Sequence, residues 1–137
     1  MLNKDSRILI VDDFEMIRVM LRRCLAELGY EKVFEATDGK EALTLLESEL
    51  GQGNRFDAIF SDLNMPNMDG LALLEACRAS SLLKSIPFVV ITAEAERKYV
   101  VKALQGGAAD YIVKPFSAET LRNKIEKLTQ RLGKAAA

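Results

Sequence analysis

The chain has 137 residues, 49% of them apolar and 28% charged, with 19 basic and 20 acidic side chains for a net charge of −1. That length suits one domain, expected here over 1–137, with a core of real size, and the balanced charge offers no general attraction to nucleic acid or an anionic membrane. Histidine is absent, which excludes His-based triads, HExxH zinc sites and a phosphohistidine carried by this chain.

The first predicted element is a short apolar run, RILIV at 7–11, taken as a strand. A helical stripe follows at Ile17, Leu21, Cys24 and Leu28, closed by Gly29. KVFEA at 32–36 reads as the second strand, and Asp38 with Glu41 as a capping box that opens a helix through Leu43, Leu46 and Leu50. After the polar loop GQGNR at 51–55 come a third strand, DAIFS at 57–61, and a helix, LALLEACRA at 71–79. PFVVI at 87–91 is the fourth strand, followed by a helix around Lys98–Leu104 that ends at Gly106-Gly107. YIV at 111–113 is the fifth strand, and Leu121, Ile125, Leu128 and Leu132 mark a final amphipathic helix. Five strands alternating with five helices predict an α/β domain. The strands lack polar alternation, as expected of a parallel sheet covered on both faces.

No apolar run approaches the ~18 residues of a membrane span, and the N-terminus MLNKDSR lacks the apolar segment of a signal peptide. A cytoplasmic protein is expected. Cys24 and Cys77 stand 53 positions apart, each within an apolar helical stripe. They are expected to be buried, reduced thiols.

In open parallel sheets the working crevice lies beyond the carboxyl ends of the strands. There the sequence places Asp12-Asp13 after strand one, Asp62 after strand three, Thr92 after strand four and Lys114-Pro115 after strand five. Each has a plain structural reading. Asp12 or Asp13 is a helix cap, Asp62 a turn residue, Thr92 another cap and Lys114 a solvated lysine. The set is harder to dismiss. Carboxylates brought together repel, which raises their pKa values or calls for a cation, and such oxygen ligands suit Mg²⁺. VDDFEM after strand one has no glycine and two acids, unlike a phosphate cradle built from Gly-rich backbone N–H groups. An Asp, a metal site, a hydroxyl and a Lys around one point suggest phosphoryl transfer to a carboxylate.

IVDDF (10–14), SDLNMPNMDG (61–70), ITAEA (91–95) and YIVKPF (111–116) resemble response-regulator receiver domains, most closely those of chemotaxis, over about Arg7 to Leu132. The resemblance implies the doubly wound, flavodoxin-like fold with strand order 2-1-3-4-5. It also implies that Asp62 is the phosphoacceptor for a histidine kinase. Asp13 and Asp62 would bind Mg²⁺ with the Asn64 main-chain carbonyl, and Asp12 would act largely through water. Lys114 would pair with the phosphate, aided by a cis Lys114-Pro115 bond. Thr92 would move to the phosphoryl oxygen and Tyr111 would swing inward behind it. Asn64 and Glu94 would influence how fast water attacks the acyl phosphate.

The same resemblance gives a partner face of Arg97, Val100, Tyr111, Val113 and Lys124, suited to an amphipathic helix with acidic residues. It implies a downstream target such as the flagellar motor switch, a phosphatase, no direct contact with nucleic acid or membrane, and a monomer that acts as a switch rather than an enzyme. Leu63 replaces a family tryptophan. Glu47–Arg55 is about five residues longer than in chemotaxis relatives, and Glu96 replaces a lysine beside the partner face. Two rival readings are a receiver belonging to a longer regulator and an Asp-nucleophile phosphatase of the haloacid dehalogenase type. The second would need an acid two residues past the nucleophile, where this chain has Asn64.

Overall fold

The computed structural model describes residues 2–93 and 97–136, with side chains described through 131. The elements are β1 (Ile8–Val11), α1 (Glu15–Glu27), β2 (Val33–Ala36), α2 (Gly39–Gly51), β3 (Ala58–Asp62), α3 (Gly70–Ala79), β4 (Phe88–Ala93), α4 (Arg97–Gln105), β5 (Asp110–Lys114) and α5 (Ala118–Ala136). The strands form one sheet in the order β2-β1-β3-β4-β5, every neighbouring pair parallel. Receiver-type topology was expected from the sequence, and this is it.

Strand side chains alternate between faces with period two, and the core divides accordingly. Leu9, Val11, Ile59, Phe88 and Val90 pack with Ala42, Leu46, Leu73, Leu74, Val100 and Ala103 from α2, α3 and α4. Ile8, Ile10, Phe60, Val89, Ile91 and Ile112 face the other way, onto Leu21 and Leu25 of α1 and Leu121, Ile125 and Leu128 of α5. Because both faces are covered, the strands carry no polar alternation.

Two local expectations change. Asp38 does cap α2, its Oδ1 accepting the Glu41 N–H at 2.8 Å, but the Glu41 carboxylate accepts from Thr37 Oγ1 at 2.7 Å. The cap is thus one-sided. In α1, Leu25 rather than Cys24 is fully buried, and Cys24 is half-buried. Cys77 is buried as expected, and burial pushes its thiol up to about 11. Gly29 ends α1 at φ +95°, a conformation open to glycine at little cost.

Candidate functional site

Register sets the site. Val11 lies beside Ser61, Asp62 beside Ile91, and Ala93 beside Lys114. The residues just past β1 and at the ends of β3, β4 and β5 therefore meet along one edge of the sheet. Asp12 extends the β1 ladder, its N–H donating to the Ala36 carbonyl at 3.2 Å. Its carboxylate does not cap α1, whose N-cap is Phe14 without a side-chain bond. Instead Oδ1 accepts the Phe14 N–H at 2.9 Å, and Arg18 Nη1 donates to the Asp12 carbonyl at 2.8 Å.

Asp62 ends β3 with its side chain turned inward, Oδ1 accepting the N–H of Leu63 at 2.8 Å and of Asn64 at 3.4 Å. The chain then folds back tightly. Gly70 donates its N–H to the Leu63 carbonyl at 2.9 Å, and a Cβ added there would stand 2.1 Å from the Asp62 carbonyl oxygen. Only glycine fits so close to the backbone of the acid. Asp69 completes the turn by capping α3 through the Ala72 N–H at 2.8 Å.

Lys114, last in β5 and followed by a cis proline bond, reaches across the sheet edge. Its Nζ donates to Asp12 Oδ2 at 2.9 Å and lies 3.4 Å from Asp62 Oδ2. One carboxylate oxygen each from Asp12, Asp13 and Asp62 all fall within 4.8 Å of one another, with Asp12 and Asp62 buried and Asp13 exposed. Burial pushes the Asp62 carboxyl up to about 6, and the Asp12 charge adds to this; Lys114 and the two backbone N–H groups pull the other way. Burial disfavours the Lys114 ammonium, but bonding to Asp12 and the charges of both acids outweigh it and raise its pKa. Among the described residues, the three clustered acids include two that contact the Lys114 ammonium.

Residues 8–126 match the response regulator receiver domain family. Chemotaxis protein CheY-3 of Vibrio cholerae is 44% identical over 131 residues, 96% of this chain and 97% of its own. Chemotaxis protein CheY of Pseudomonas aeruginosa is 45% identical over 126 residues, 92% and 98% of the two chains. The chain belongs to the response-regulator receiver family. The high-resolution structure of the chemotaxis response regulator CheY4 of V. cholerae superposes on this receiver with a TM-score of 0.76, at 38% identity, covering 89% of this chain and 97% of the other. The receiver domain of a P. aeruginosa sensor histidine kinase, described with a magnesium ion coordinated in its active-site cleft, gives 0.77 at 30% identity, covering 89% and 95%.

The acid cluster of this receiver suits that ion. Octahedral ligands 2.0–2.1 Å from Mg²⁺ stand about 3 Å apart when adjacent and about 4 Å apart when opposite, so oxygens within 4.8 Å of one another can draw in around one ion. A cavity of about 420 Å³ opens beside them, lined by Phe14, Met16, Ile17, Asp62, Asn64, Ala93 and Lys114. Its apolar wall at the start of α1 was not foreseen from the sequence, where Phe14 and Met16 lie outside the helical stripe. Arg18, which fixes the Asp12 carbonyl and pairs with Glu35 at 3.0 Å, was also missed.

Thr92, 1% exposed, bonds the Ala93 carbonyl through Oγ1 at 3.3 Å. It lines a second cavity, also about 420 Å³, with Arg97, Val100, Val101, Leu104, Tyr111 and Val113. Four of the five residues assigned to the partner face, Tyr111 among them, thus line one cavity. Val100, at 8% exposure, forms a wall of that cavity rather than the outer surface. Lys124 stands over the Tyr111 ring, bonded to Asp110. Glu94 and Glu96 lie outside the described residues.

Proposed function

We propose that Asp62 accepts a phosphoryl group from a histidine kinase and that the resulting charge switches the affinity of the chain for a downstream protein. The observation that carries this reading is the Asp62 carboxylate, buried at the end of β3, close to Asp12, Asp13 and the Lys114 ammonium. A carboxyl with a pKa near 6 is mostly ionised at neutral pH yet basic enough to attack. One Asp62 oxygen forms the new bond to phosphorus, and the bond from phosphorus to the donor atom breaks, its electron pair leaving with the donor. Asp13, Asp62 and the Asn64 carbonyl would hold Mg²⁺, with Asp12 acting through water, and the ion would supply positive charge at the phosphoryl oxygens.

Lys114 is already within reach of Asp62 and exchanges part of its pairing with Asp12 for a phosphoryl oxygen. Thr92 donates its hydroxyl to another, and Tyr111 turns into the cavity it shares with Thr92. Asn64 and Glu94 tune the access of water. The chain is a phosphoacceptor switch, without a turnover reaction on a separate substrate. Homology to chemotaxis proteins supports a flagellar motor switch as target, a phosphatase as a further partner, and a cytoplasmic, monomeric protein in which 1–137 is one domain. The target would meet Arg97, Tyr111, Val113 and Lys124, with Val100 reached only after α4 or Tyr111 moves.

Acetyl phosphate with Mg²⁺ tests the chemistry. Intact mass should show one added phosphoryl group, stable in acid and lost in base, and Asp62→Asn should take up none. Undiminished uptake by that variant would place the acceptor elsewhere.

A further inference from the structure

At the start of β5, Asp110 gathers two cations from α5. Its Oδ1 accepts Lys124 Nζ at 2.9 Å, and its Oδ2 lies 3.2 Å from Arg131 Nη2. The arrangement is tied to the backbone on both sides. Asp110 Oδ1 also accepts the Tyr111 N–H at 2.8 Å, and Arg131 Nη1 donates to the Ala109 carbonyl at 2.7 Å. The Asp110 side chain is only 13% exposed and Lys124 24%, so solvent screens this pair less than an ordinary surface pair, while Arg131 is 53% exposed. The anchored ammonium stands 4.7 Å from the centroid of the Tyr111 ring.

That placement gives the ring two alternatives. In the observed position Tyr111 is 37% exposed beneath a cation, an attraction that requires the ammonium to be held over the ring face. The other position is the adjoining cavity, walled by Thr92, Val100, Leu104 and Val113. A lysine already fixed by Asp110 loses little further freedom in keeping the ring where it is, so the attraction favours the outward position.

We propose that Lys124 is a positioning residue that holds Tyr111 outward in the unphosphorylated chain, with Asp110 and Arg131 as its anchor. The inference rests on the proposed function, in which Tyr111 is the ring that moves. Phosphorylation at Asp62 then works against the Lys124–Tyr111 contact. When the ring turns in, the Lys124 ammonium loses its aromatic neighbour and becomes available to an acidic partner. One residue thus restrains the resting state and contributes to the active surface.

Fluorotyrosine incorporated into the full chain reports on Tyr30, Tyr99 and Tyr111, the last assigned with Tyr111→Phe. Spectra with Mg²⁺ alone and with Mg²⁺ plus beryllium fluoride, a mimic of the phosphoryl group, define resting and active positions of the Tyr111 line. Lys124→Met should move the resting line toward the active position and tighten beryllium fluoride binding by about threefold. Lys124→Arg, which can stack on the same ring, should stay with wild type in both readouts. If Lys124→Met fails to fold, Asp110→Asn keeps an acceptor for the Tyr111 N–H and should change both readouts in the same direction. Unchanged affinity with an unmoved resting line would overturn the inference while leaving Tyr111 as the moving ring. A wild-type Tyr111 line that ignores bound beryllium fluoride would overturn the switch reading itself, and the inference with it.

Discussion

The two ends of the sheet each hold a cation among acids, and they are built to different ends. At the amino end, Arg7 pairs with Glu49 at 3.0 Å and lies over Phe34 and Phe56, at 4.5 and 5.1 Å from their ring centroids. The two rings meet edge to face at 5.2 Å, and Asp57 accepts the Arg7 backbone N–H at 2.8 Å. One guanidinium meets one carboxylate and two aromatic faces, so its charge is matched without an added ion. At the carboxyl end, Lys114 pairs with Asp12 and Asp62, and Asp13 joins their carboxylate cluster. That cluster keeps an excess of negative charge in a partly buried place, which costs stability until a cation or proton arrives. The first end is finished structure, and the second is strained in the manner of a site.

Removing the cation from each end is the sharpest way to break the comparison. Lys114→Met leaves Asp12 and Asp62 buried with no ammonium, and should destabilise the metal-free protein by on the order of 3 kcal/mol at pH 7. Urea midpoints at pH 7 and pH 4 measure it, since protonation of the acids should recover much of the loss. A variant as stable as wild type at both would mean that the acids are not strained.

Asp62→Asn should act in the opposite direction. The folded-state pKa near 6 lies above the usual 3.8, so folding favours the neutral acid. That contribution is complete below about pH 4 and is lost as pH rises through 6. Without divalent metal, Asp62→Asn should therefore gain on the order of 1–3 kcal/mol over wild type above pH 7, and the gain should vanish near pH 4. A gain independent of pH would point to packing instead.

Mg²⁺ should narrow the gap for wild type. At ten times its dissociation constant the ion should add ~1.4 kcal/mol by linkage, and Asp13→Ala should forfeit most of that. Thermal melts across a Mg²⁺ series would show it; an undiminished gain in Asp13→Ala would move the metal off this cluster. The smallest effect belongs to the amino end. Arg7 Nε is buried without a hydrogen-bond partner among the described residues, which offsets part of what the ion pair and ring contacts contribute. Both side chains of the Arg7–Glu49 pair reach solvent, so Arg7→Met should cost about 1 kcal/mol or less, with phosphoryl uptake unaltered. A loss matching that of Lys114→Met would erase the distinction between the two ends.

The carboxyl end was the legible one. Asp12, Asp13, Asp62 and Lys114 each follow an apolar strand, and parallel strands deliver their carboxyl ends to one edge, so chain order alone predicts their meeting. Thr92 was placed there by the same logic, yet it also lines a cavity that Tyr111 borders, a link that periodicity does not contain. Phe14 and Met16 escaped notice because an exposed apolar residue at the start of a helix breaks the stripe instead of marking a site. The capping pair showed the limit of local motifs: Asp38 behaves as expected, and Glu41 turns to Thr37.

By itself the sequence determined the alternation of five strands with five helices, the two-faced burial of the sheet and the chemical identity of its carboxyl edge. These follow from periods of 2 and 3.6 residues and from the rule that parallel strands share a direction. Only the tertiary structure decided which charges pair. Lys114 reaches Asp12 across 102 positions, Arg7 reaches Glu49 across 42, and Asp110 collects Lys124 and Arg131 from 14 and 21 positions away. Such partners are chosen by strand order, register and the seating of each helix on the sheet. Those in turn depend on how the whole core packs, and no local window of sequence carries that information.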